Sequence, residues 1–183
     1  EDRATLIVQS GWRGQLNLGE ESWTVTWVDD LDGQMDAGDL LLLVPGAVEA
    51  RSNPLPEHVL QPAFSVPCNS QLSLNGKMYR ITTRFDAPEG TVGGQVQMLF
   101  TPIAPATATM RFEGQNVFRV ALKGSQWAVA LDRPENGSYQ VPVGDYAEGT
   151  IVLDGNRPEL WFHTALEAVT VAAGETTVLR AGG

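Results

Sequence analysis

Turn-forming residues interrupt this sequence so often that the segments between them have room for strands and little else. Nineteen glycines and eleven prolines are spread through 183 residues. The runs between them are short, rich in β-branched side chains and frequently alternating, which is the period of a half-buried strand. Ala4-Thr5-Leu6-Ile7-Val8-Gln9 and Gln15-Leu16-Asn17-Leu18 open the chain in this way. In Ser22-Trp23-Thr24-Val25-Thr26-Trp27-Val28, the side chains of Trp23, Val25 and Trp27 share one face, and those of Thr24, Thr26 and Val28 the other. Residues 40–44 form a continuous apolar run of strand length. Over 51–67, Pro54, Pro56, Pro62 and Pro67 oppose ladder pairing and predict a long loop or crossover for most of the segment. Gln71-Leu72-Ser73-Leu74, an Asn75-Gly76 turn and residues 77–85 make the clearest hairpin, and a further arm follows at 95–100.

Strands are then expected at 110–112, 117–122, 126–131, 138–141, 150–153, 160–164, 168–171 and 176–179. That rhythm, roughly 8 to 12 residues per strand and turn, belongs to a β-sandwich. Thr101-Pro102-Ile103-Ala104-Pro105-Ala106-Thr107-Ala108-Thr109 is small and uncharged, the composition of a short extended linker. The sequence therefore predicts an all-β protein of two small β-sandwich-like domains, 1–101 and 110–183, joined by a Pro/Ala/Thr linker over 102–109.

One passage reads as a site. Asp29, Asp30, Asp32, Asp36 and Asp39 place five carboxylates within the twelve residues 28–39, around Gly33. Crowded like charges require solvent or a cation, and calcium accepts six to eight oxygen ligands in flexible geometry. With Gly33 at the sharp turn of a twelve-residue calcium loop, Asp30 takes the third position, Asp32 the fifth, the Gln34 carbonyl the seventh, Asp36 the ninth and Asp39 the twelfth. In this respect the stretch resembles the calcium loops of EF-hands and, with Asp at the last position, of dockerin modules. It departs at the first position, where Val28 stands and Asp29 substitutes by a shifted geometry, and the segment before it alternates like a strand rather than a helix. The other reading of the same residues is an acidic interstrand turn, for which Asp-Gly is a favoured pair.

Gly137-Ser138-Tyr139-Gln140-Val141-Pro142-Val143-Gly144-Asp145-Tyr146 resembles the G-x-Y-x-V-P-x-G-x-Y turn of carboxypeptidase-regulatory-like and transthyretin-like sandwiches. Val169-Thr170-Val171-Ala172-Ala173-Gly174-Glu175-Thr176-Thr177-Val178-Leu179 is similar to that family's closing strand pair. The resemblance implies an accessory domain of a larger extracytoplasmic protein. A start at Glu1 fits a processed secreted chain or an excised piece.

Charge narrows the partners. Twelve basic against twenty-two acidic residues give a formal net charge of -10, which opposes phosphate backbones and anionic membrane surfaces. No apolar run approaches the roughly 18 residues of a membrane-spanning helix. A single cysteine excludes an intrachain disulfide framework and a cysteine-based zinc cluster. Cys68 with His58 is the one pair suited to thiolate catalysis, and His163 reads as an ordinary strand residue. The expectation is a non-catalytic structural or binding module, extracellular or periplasmic and calcium-stabilised, with other protein subunits or domains as partners. Its alternatives are a carbohydrate-binding module that stacks a glycan on Trp23 and Trp27, or on Trp12 or Trp161, and a subunit that assembles through strand edges.

Overall fold

In the computed structural model, residues 11–18, 21–28, 39–46, 64–67, 70–86, 95–132, 134, 137–154 and 161–181 are described. Among them every regular element is a strand, and the chain forms two compact units, Glu1–Cys68 and Asn69–Gly183.

The first unit carries a four-stranded antiparallel sheet in sequence order: β1 (Gly11–Leu18), β2 (Glu21–Val28), β3 (Leu40–Pro45) and β4 (Phe64–Pro67). β2 pairs with β1 over its whole length and with β3 from Trp23 opposite Pro45 to Val28 opposite Leu40. A central strand can be covered on both faces, and in β2 Trp23, Val25 and Trp27 are buried on one side and Thr24 on the other. Thr24 tolerates burial because its hydroxyl donates to the Gly46 carbonyl at 2.9 Å and accepts from Gln15 Nε2 at 3.1 Å. β4 lies inside the Pro-rich segment. Pro67 is accommodated because β4 is an edge strand, where a missing N–H breaks no inner ladder.

The second unit begins with the hairpin of β5 (Gln71–Leu74) and β6 (Lys77–Asp86), followed by β7 (Gln95–Pro102), β8 (Thr107–Gly114), β9 (Val117–Gly124) and β10 (Trp127–Asp132). The remaining strands are β11 (Ser138–Pro142), β12 (Gly144–Asp154), β13 (Trp161–Leu166), β14 (Val169–Val171) and β15 (Thr176–Ala181). They form an eight-stranded sheet in the order β13-β12-β9-β10-β5-β6-β7, with β14 also against β12, and a three-stranded sheet β11-β8-β15. Ala108, Met110 and Phe112 of β8, Val141 of β11 and Leu179 of β15 share one core with Val120 and Leu122 of β9, Val129 and Leu131 of β10, and Ile151 of β12. The arrangement is sandwich-like, and each such fully buried side chain contributes on the order of 1.5–3 kcal/mol.

The division between units differs from the sequence expectation. It falls at 68/69, not across 102–109. Thr107, Ala108 and Thr109 belong to β8, opposite Pro142, Val141 and Gln140 of β11, and Thr109 also lies beside Thr176 of β15. The preceding residues are tied as well: the Ile103 N–H donates to the Met78 carbonyl at 2.9 Å and the Val143 N–H to the Ala106 carbonyl at 3.0 Å. The hairpin joins the same sheet because β5 runs parallel to β10, from Gln71 beside Trp127 to Leu74 beside Ala130. Parallel pairing between distant segments leaves no local sequence signal, whereas small uncharged residues read as a linker wherever they occur.

Two devices fix that junction. Asn75 and Gly76 both adopt positive φ, 48° and 80°, as a two-residue hairpin of this type requires. Asn75 Oδ1 accepts the Asp132 N–H at 2.8 Å and the Asn75 N–H donates to the Ala130 carbonyl at 2.9 Å. Asp132 in turn accepts from Arg119 Nε of β9 at 2.5 Å, and the Arg119 side chain is 1% exposed. Elsewhere, Tyr146 donates its hydroxyl to the Pro142 carbonyl at 2.8 Å across the turn into β12, and burial pushes its phenol well above the ordinary range. On the surface, Arg180 of β15 donates to Glu113 of β8 at 2.9 Å, and chiefly this bond holds the Glu113 carboxyl below its usual pKa. Asp132→Ala, which takes the carboxylate from a buried guanidinium, is expected to destabilise the second unit by about 3–5 kcal/mol in urea unfolding. The double variant Arg119→Met with Asp132→Ala should lose less than Asp132→Ala alone; an equal or greater loss would show that the ion pair is not what holds the junction.

Candidate functional site

Asp39 is the member of the acidic stretch that the structure places. It immediately precedes β3 and is 1% exposed, and its Oδ2 accepts the Trp27 indole N–H at 2.8 Å. Trp27 lies opposite Leu41 across the β2/β3 ladder, so the carboxylate closes the end of the acidic segment by turning inward onto β2. That is a structural task beside the twelfth position of a calcium loop that the spacing assigns. A buried carboxylate needs hydrogen bonds more than a buried amide does, and an indole N–H is a donor without acceptor capacity. Asp29, Asp30, Asp32, Gln34 and Asp36 lie outside the described residues. Among the described residues no group of three or more His, Cys, Asp or Glu side chains is placed to hold a metal.

The tryptophan platform is corrected. Trp23 and Trp27 are each 1% exposed, and a sugar cannot stack on a ring whose face is already covered. Their position on the middle strand of a four-stranded sheet is the reason: a large apolar ring on a central strand gains most by burial. Trp127 is likewise in the core of the second unit. The side chains of Trp12, Trp161 and His163, and all of His58 and Cys68, lie outside the described residues.

What the sequence did not single out is an outer strand of the large sheet. β7 is its last strand, paired with β6 alone among the described residues, from Tyr79 opposite Pro102 to Asp86 opposite Gln95. Backbone N–H and C=O groups on its outer side form a template for another strand. Proteins usually blunt such an edge with charge, a bulge or an early proline. β7, Gln-Val-Gln-Met-Leu-Phe-Thr-Pro, has no charged residue, and its proline comes only at the end. Leu99 at its centre is 63% exposed, the most exposed large apolar side chain among the described residues. Gln97 and Thr101, which share its face, are also exposed, while Met98 and Phe100 on the other face are half-buried.

Where β7 ends, Lys77, Met78, Tyr79, Pro102, Ile103 and Pro105 line an open groove of about 470 Å³. A strand added to β7 would run toward this groove, which is large enough for one side chain and has an exposed lysine at the β6 end. The outer strands of the three-stranded sheet are less suited. β15 carries the Arg180–Glu113 ion pair on its line with β8, and β11 is only five residues long. The one available sequence signal for β7 was its lack of charge, and that acquires meaning only once the strand is known to be terminal.

Compared with known proteins, the chain matches no family model, and neither a curated protein nor a solved structure matches it. Asp39→Ala, which leaves the Trp27 indole N–H buried without that acceptor, is expected to cost about 1.5–3 kcal/mol. The loss should be the same in millimolar calcium and in chelator, measured by thermal unfolding; a loss confined to calcium would return Asp39 to the cation ligands.

Proposed function

We propose that this chain is a non-catalytic structural or binding module of an extracytoplasmic assembly, and that it joins other protein chains by strand addition at the outer edge of β7. The observation that carries the reading is the β7 edge itself: eight uncharged residues, terminal in an eight-stranded sheet, with Leu99 exposed at their centre. In strand addition the main-chain hydrogen bonds supply affinity and pockets for alternate side chains supply selectivity. β7 offers both, with the groove at its end as the selective element. A net charge of -10 supports a protein partner over a nucleic acid or an anionic membrane surface. Calcium held by Asp29, Asp30, Asp32, Gln34 and Asp36 would brace the segment between β2 and β3 by binding the native state only; the spacing of those residues supports this brace, at whose end Asp39 Oδ2 accepts from the Trp27 indole.

Hydrogen exchange on the dilute protein tests the edge. The alternate β7 amides that point away from β6 are expected to exchange nearly unprotected, while those bonded to β6 are slow. Protection of both sets at high dilution would mean that the chain covers its own edge, and the reading would fail.

A further inference from the structure

We infer that the strand added to β7 is β7 of a second copy of this chain, paired antiparallel about a two-fold axis at Leu99. The inference rests on the β7 edge being the interaction site and names its occupant. With Leu99 facing Leu99, the strand is complementary to itself: Gln97 lies opposite Thr101 and Met98 opposite Phe100. Polar side chains therefore meet polar ones on the exposed face, and apolar side chains meet apolar ones on the half-buried face. Directly opposed residues in an antiparallel pair point to the same face, so both faces continue across the junction into one larger sheet. A slip by one residue would join unlike faces, and of the registers that keep the faces matched, the one with Leu99 opposite Leu99 covers the most exposed large apolar side chain among the described residues of each copy with that of the other. Pro102, without an N–H, ends the pairing.

Charge selects the same occupant. Two copies of a chain of net charge -10 repel over most of their surfaces. At β7 no charge lies on the strand, and the neighbouring strand places Arg80 opposite Thr101, Arg84 opposite Gln97 and Asp86 opposite Gln95, one positive charge in excess on that face. Copies of this acidic protein thus meet where the local charge is neutral to basic. An isologous contact of this kind closes as a dimer, since each β7 edge is used once. A contact between single strands lies at the low end of interface size, so the dimer forms in the micromolar to millimolar range and not at trace concentration.

Light scattering of the full chain over that concentration range is expected to show mass rising from monomer to dimer. Leu99→Lys, a change at an exposed position, should hold the mass at monomer throughout. In a Cys68→Ser background, Leu99→Cys should form a covalent dimer on mild oxidation, because opposed Cα atoms about 4.5–5.5 Å apart fall within disulfide reach. Gln97→Cys in the same background should not, since its twin lies four residues away along the pair. A chain that stays monomeric at millimolar concentration overturns the inference, and so does a dimer that survives Leu99→Lys or that cross-links at 97 in preference to 99. In the monomeric case, free exchange of the outward β7 amides would leave the edge reading standing with a different occupant.

Discussion

β5 runs parallel to β10, and the rest of the second unit depends on that junction. The four residues Gln71–Leu74 lie beside Trp127–Ala130. Leu72, Ser73 and Leu74 are all buried, as are Trp127 through Leu131, so the sheet is covered on both faces here. Parallel pairing asks for that environment. Ala128 and Ala130 sit beside Leu72 and Leu74, and small residues next to large ones let the strands lie close without overpacking one face. Arg119, Asp132 and Asn75 then tie β9, β10 and the hairpin turn into one hydrogen-bonded set. β6 and β7 are attached to the unit through β5, which makes β7 the end of a continuous sheet and not part of a separate domain.

The first unit works on a smaller version of the same principle. Its central strand β2 is buried on both faces, and two of the polar groups buried there find partners, Thr24 on Gly46 and Gln15 and Trp27 on Asp39, while Trp23 Nε1 and Thr26 Oγ1 have none among the described residues. An acidic stretch of the chain thus ends on a carboxylate that faces inward.

Much of the fold was legible from local pattern. The Trp strand, the 40–44 apolar run, the Asn75-Gly76 hairpin and the strand rhythm after residue 110 all follow from alternation and turn chemistry, and each appears as a strand or turn, although β8 and β12 run well past the expected 110–112 and 150–153. What was not legible depended on partners remote in sequence. The β5/β10 and β8/β15 pairings are both parallel and long-range, and the second takes residues 107–109 of the expected linker into an inner strand. Trp23 and Trp27 illustrate the same limit: alternation places them on one face, but only strand order decides that the face is core. For the candidate site, the uncharged β7 could be read as a strand, whereas its terminal place in the sheet could not.

The proposed function rests on where the sheet stops. Among the described residues the sheet ends at β7, which presents main-chain groups and Leu99 together, and the proposal rests on that edge. That account requires the hairpin and β7 to be integral to the second unit. Native-state hydrogen exchange in rising urea measures this directly, because it reports the opening free energy of each strand. The slow amides of β5 and β6 are predicted to open together with those of β9 and β10, at one common free energy. Opening of β5, β6 and β7 at a distinctly lower free energy, while β8, β9 and β15 stay closed, would contradict the account and restore a boundary near residues 102–109.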